Sequence, residues 1–224
     1  MQAIFETLFD IVYLSTVITL GIRMMRQGKD IPQYRLYGLM AVVLGCGDSF
    51  HLVPRAVALC TTGLASYTAA LGIGKLITSV TMTVFYVILY FVWRERYHIQ
   101  GQANLTIWVY LLAAARIILC LFPQNEWTSA MPSLAWGVYR NIPFTLLGLL
   151  VVVLWYRSAK EQKDTPYQYV WLSIVISFAC YLPVVLLAER YPLVGILMIP
   201  KTCAYVWTVW IGYSDMKHTL KEEH

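Results

Sequence analysis

The chain has 224 residues, 59% hydrophobic and only 13% charged, with a net charge of +5 and a mean hydropathy of +0.61. A soluble domain carries about 25% charged residues, so this composition excludes an ordinary soluble enzyme or binding module and implies an integral membrane protein. The basic excess sits mainly in short connections between apolar runs, a pattern of membrane orientation rather than of nucleic-acid binding.

Apolar runs of about 20 residues, enough to cross a bilayer, recur along the whole chain. At that depth the backbone must satisfy its own hydrogen bonds, so the runs are expected to be helices. The first predicted span covers 3–22 and lacks a basic leader and a small-residue cleavage site, so it reads as retained. Its Glu6 and Asp10 are four residues apart, on one face. The second covers 36–54 and holds most of LGCGDSFHLVPR, in which Asp48, His51 and Arg55 follow i, i+3, i+7 along one face. The third covers 67–93 and carries LGIGK, an echo of LGCGD that puts Lys75 in the place of Asp48. The glycines of LGCGD predict a close approach to the third helix.

The fourth span covers 104–122 and contains Arg116. After it, FPQNEWTSAMPSLAW is predicted to form a structured connection anchored by Trp127 and Trp136. The fifth span covers 137–156, with Arg140 and Asn141 just before Pro143. The sixth covers 167–188, and the seventh, 192–213, places Lys201, Tyr205 and Thr208 on one face. Prolines 143, 183 and 200 are expected to bend these three helices. The fold expectation is an all-α, seven-helix transmembrane domain over 1–214 with a polar, fraying cytoplasmic tail at 215–224.

Arg23, Arg26, Lys29, Arg94, Arg96, Lys160 and Lys163 fall in the connections after the first, third and fifth spans. The positive-inside rule then places the N-terminus outside and the C-terminus in the cytoplasm of the plasma membrane. At ~1.5 Å per residue, Asp10, Asp48, Lys75, Arg116 and Lys201 reach one layer just outside the midplane. Glu6, His51, Arg55, Arg140 and Glu189 lie beyond it, and the inner half is expected to be nearly free of charge. Bases outnumber acids in this outer half, so an anion would complete the balance: a phosphate, a carboxylate or a lipid headgroup, which arginine grips bidentately.

The segment GCGD resembles the Gly-x-Gly-Asp string of intramembrane aspartyl proteases. The resemblance ends there, since no second catalytic string occurs and Asp10 is the nearest partner carboxylate. Zinc amidases of the ceramidase and adiponectin-receptor class need about three intramembrane histidines. Here His98, His218 and His224 fall in polar segments and only His51 lies in a span, so no metal is expected. Lys201 sits where microbial rhodopsins carry their retinal lysine, but Lys75 stands on the third helix where that family has carboxylates.

The expected function is therefore a receptor- or transporter-like membrane protein whose outward-facing cationic cavity binds an anionic, lipidic or amphipathic ligand. Asp10, Arg55, Lys75, Arg116, Arg140, Lys201 and Tyr205 are the candidate binding residues. The alternative is a metal-free lipid-modifying enzyme using Asp48 and His51 as acid and base, and a minor one is a retinal-type pigment on Lys201. Membrane lipid and an anionic small molecule or headgroup are the expected partners; no cofactor and no nucleic acid are expected.

Overall fold

A computed structural model describes residues 2–188 and 190–222. Glu189, counted above among the outer acids, lies outside them, as do the last two residues of the polar tail, His224 included. The described residues form helices and no strand: α1 Gln2–Gln27, α2 Pro32–Cys60, α3 Thr68–Arg96, α4 Ala103–Leu121, α5 Leu134–Glu161, α6 Val170–Leu187 and α7 Met198–Glu222. Short 3-10 segments at Leu64–Tyr67, Pro123–Asn125 and Pro192–Leu197 join them. Seven helices are long and apolar enough to cross a membrane, as in a multi-pass membrane protein. Large apolar side chains point outward accordingly: Phe5 and Leu149 are 58% exposed and Trp108 is 60% exposed. Such exposure is inexpensive against hydrocarbon and costly against water.

Several helices outrun the apolar runs that announce them. An apolar run marks only the stretch at bilayer depth, and nothing in the flanking polar residues stops the helix. Thus α2 continues to Cys60, which puts Pro54 inside it, and α5 continues to Glu161. The tail expected to fray instead carries α7 on to Glu222, with Asp215 and Met216 buried. Pro143 and Pro183 lie inside α5 and α6 as expected. Pro200 differs: α7 starts at Met198, so this proline occupies the first turn, where its missing N–H costs nothing.

Helices adjacent in sequence pack side by side, and α7 returns to α1, closing a ring. α3 touches α2, α4 and α5, with Phe85, Tyr86, Leu89 and Tyr90 fully buried. α5 turns Phe144, Leu147, Val151 and Trp155 inward at helical spacing. The α2–α3 contact is the closest. A Cβ on Gly47 would strike Thr81, and one on Gly74 would strike the backbone of Phe50 and His51. The two echoing motifs therefore pack each onto the other's helix, and Thr78 Oγ1 donates to the Gly47 carbonyl at 3.1 Å. Gly45, by contrast, faces Ile18 of α1.

The bundle has two ends. One carries the N-terminus and the α2–α3, α4–α5 and α6–α7 connections; we call it the N-end. The other, the C-end, carries the remaining connections and the end of α7. At the N-end the segment after α4 is built rather than loose. Asn125 is buried and donates to the carbonyls of Leu119 and Phe122 at 2.7 and 2.8 Å, while Trp127 Nε1 donates to Cys120 O at 2.9 Å. Both side chains satisfy carbonyls that the end of α4 leaves open.

Candidate functional site

Toward the N-end, three groups of polar residues lie between the helices. The first joins α1 to α2. Arg55 donates to Glu6 Oε2 from Nη2 at 2.9 Å and from Nε at 3.2 Å. Asp10, half-buried, lies in the field of Arg55, Glu6 and Asp48. One face further along, the buried Tyr13 hydroxyl donates to Asp48 Oδ2 at 2.7 Å. The 4-then-3 spacing of Glu6, Asp10 and Tyr13 makes this pairing, since one stripe of α1 faces the Asp48 stripe of α2.

The second group lies between α2 and α3. His51 Nδ1 is 3.3 Å from the Leu71 carbonyl, reached because Gly74 lets α3 close in on Phe50 and His51. Lys75 is exposed, and its charge acts on His51. Asp48 and His51 thus share a helix face but hydrogen-bond to different helices.

The third group surrounds a small cavity of ≈ 40 Å³ lined by Ser79, Arg116, Phe144, Tyr181, Lys201 and Tyr205. On that measure one water needs roughly 10–15 Å³, so the space suits a few waters or one oxyanion. Arg116 is 2% exposed and its guanidinium carbon sits 3.3 Å from the Phe144 ring centroid. Among the described residues its Nε and Nη1 have no hydrogen-bond partner. Lys201 is 7% exposed, its Nζ 5.2 and 5.4 Å from the Tyr181 and Tyr205 ring centroids. Those rings provide cation–π contact without neutralising the charge. Among the described residues no carboxylate forms an ion pair with Arg116 or Lys201. Asp48 reaches Lys201 only through its longer-range field. Tyr181 is held in place by donating to Asn141 Oδ1 at 2.9 Å.

Of the candidate binding residues, Arg116, Lys201 and Tyr205 meet at this cavity. Arg140 turns away into the connection after α4, donating to Asn125 Oδ1 at 2.7 Å and stacking 4.3 Å over Trp127. Asp10 and Arg55 belong to the α1–α2 group, and Lys75 is exposed and is not among the residues lining the cavity. Sequence reasoning missed Tyr13, Phe144 and Tyr181. Tyr13 was findable as the next position on the Glu6–Asp10 face. Tyr181 was not, because nothing in α6 marks it among other apolar and aromatic residues.

The expectation of a nearly charge-free half toward the C-end is corrected. Arg96 donates from Nε and Nη2 to the two oxygens of Asp164, both at 2.9 Å, and from Nη1 to Asp215 at 3.0 Å. Asp215 also accepts from Tyr34 at 2.8 Å, and Gln33 donates to Tyr167 at 2.7 Å. Burial, the leading cause, holds the Tyr167 hydroxyl well above the ordinary tyrosine range, so it stays neutral beside Arg96. Arg96 and Asp215 lie past the apolar runs, so the sequence reads them as part of a connection and of the tail; the longer α3 and α7 carry them inward, and the turn after α5 brings Asp164 to Arg96. Arg96 thereby ties α3, the α5–α6 connection and α7 together. Compared with known protein families, with curated proteins and with solved structures, the chain has no significant match.

Proposed function

We propose that this chain is a multi-pass protein of the cytoplasmic membrane, N-terminus outside, that binds the anionic group of an amphipathic ligand in its interior cavity, as a receptor or transporter does. The observation that carries this reading is the meeting of Arg116 and Lys201, both buried, at one cavity where, among the described residues, no carboxylate forms an ion pair with either and two Arg116 donors are unused. Burying a charge without a partner costs several kcal/mol, of order, and an incoming carboxylate or phosphate supplies that partner. Arg116 Nε and Nη1 and Lys201 Nζ are the donors to its oxygens, with the hydroxyls of Ser79 and Tyr205 in the same wall. The orientation rests on the arginines and lysines gathered at the C-end. It leaves the cavity on the outer side of Arg96 and its carboxylates. The space beside Lys201 is far smaller than a retinal chain, and no contact favours that reading.

The test uses the purified full chain in detergent with two probes, oleate and lysophosphatidic acid, against their uncharged esters. Retention of the acids but not the esters is expected, with at least a roughly tenfold loss in Arg116→Gln and in Lys201→Gln, the scale of one lost charge-assisted contact. Equal retention by the wild type and both variants would overturn the proposal.

A further inference from the structure

A larger cavity, ≈ 320 Å³, opens at the C-end between the last turn of α5 and the start of α6. It is lined by Tyr156, Lys160, Lys163, Thr165, Gln168 and Trp171. Among the described residues neither lysine is paired with a carboxylate. The one acid in the wall, Asp164, has both oxygens engaged by Arg96. The cavity therefore presents two uncompensated positive charges and no carboxylate free to receive a cation.

The placement of Lys163 is itself costly. It occupies the position just after the α5 cap with φ +51°, the left-handed conformation usually given to glycine at a helix C-terminus. The Asp164 amide bonding to Ala159 O at 3.0 Å and the Arg96 pairing hold this turn. On the membrane side the cavity meets an apolar track. Leu146, Leu149, Val153 and Tyr156 form one exposed stripe of α5 leading toward it. Tyr156 and Trp171 stand edge to face at 5.2 Å where the track meets the lysines.

We propose that this cavity is a binding site for the headgroup of an acidic phospholipid. Its phosphate sits between Lys160 and Lys163, with Thr165 and Gln168 as further donors, and its acyl chains follow the α5 stripe. Because Asp164 is already committed to Arg96, a zwitterionic headgroup finds no anion for its ammonium. The site thus selects net negative lipids. This site is separate from the Arg116–Lys201 cavity and does not depend on that reading.

Native mass spectrometry of the full chain in detergent, titrated with phosphatidylglycerol, phosphatidylcholine and inorganic phosphate, tests it. The measurement is made in an Arg116→Gln background, so that the interior cavity does not contribute. Phosphatidylglycerol should be retained about 10- to 30-fold over phosphatidylcholine, the size expected of two interfacial lysines. The Lys160→Gln, Lys163→Gly double variant should erase that preference. Because glycine relieves the left-handed turn, the variant's thermal stability should be equal or higher, which separates lost binding from misfolding. Equal retention of the two lipids, or a preference that survives in the double variant, overturns the proposal. Displacement of phosphatidylglycerol by millimolar inorganic phosphate overturns it too, making the site one for free phosphate.

Discussion

Arg116 separates stability from binding most cleanly among the individual residues. It is buried, it stacks on Phe144, and its unused donors point to no internal partner. Burying such a charge without an ion-pair partner carries a desolvation cost of several kcal/mol, which an apolar side chain of similar volume does not carry. Arg116→Met should therefore raise the melting temperature in detergent while abolishing retention of oleate and lysophosphatidic acid; a lower melting temperature would mean that the guanidinium holds the bundle together. The Tyr13–Asp48 bond behaves in the opposite way. Tyr13→Phe removes a hydrogen bond to a buried carboxylate and should cost about 1.5–3 kcal/mol. Asp48→Asn, which keeps an acceptor oxygen, should cost less, and thermal unfolding of the two variants side by side checks the order. At this scale the sequence was partly legible. Depth brought out Arg116 and Lys201, and helical spacing added Tyr205, but the same depth also selected Lys75, and the charge beside Pro143 selected Arg140. Depth in the bilayer does not say which side chains meet, and neither of those two lines the cavity.

Among the elements, the α2–α3 pair is closely packed, because Gly47 and Gly74 leave no room for a side chain against the facing helix. Gly47→Val drives two methyl groups into Thr81 and should destabilise by roughly 1–3 kcal/mol, as overpacking does. Gly195→Ala, where nothing lies within 4 Å of the added carbon, should be close to neutral. Equal melting temperatures for the two variants would show that α2 and α3 are not in close contact. Helix existence and order followed directly from the apolar runs. Helix ends did not, since hydropathy reports the bilayer and not the hydrogen-bonded ladder. Pro54 became internal and Pro200 terminal for that reason, and Asp215 moved from an expected loose tail into a buried position.

Across the whole molecule, two expectations follow from the asymmetry between the ends. Cys60 is exposed at the N-end. With that end outside, a membrane-impermeant maleimide added to intact cells should label Cys60, and Cys60→Ser should abolish the labelling; labelling only after permeabilisation would reverse the orientation. Arg96 joins three parts of the chain through two carboxylates that are only 7% and 8% exposed. Breaking a buried pair by removing one partner costs about 3–5 kcal/mol, so Arg96→Gln should lower the melting temperature more than any N-end substitution named above. A smaller effect than that of Tyr13→Phe would show that α3, α7 and the α5–α6 connection are held by their apolar contacts instead.

The fastening by Arg96 also sets the direction in which the bundle can breathe. With α3 and α7 clamped at one end, any splaying of the helices pivots there, like the blades of shears about their pin. The separation grows with distance from the pivot, so the walls bearing Arg116 and Lys201 part more widely than the clamp itself. If the cavity binds a headgroup as proposed, that group would come and go on the side away from the pivot, and loosening the pin by Arg96→Gln would speed its release.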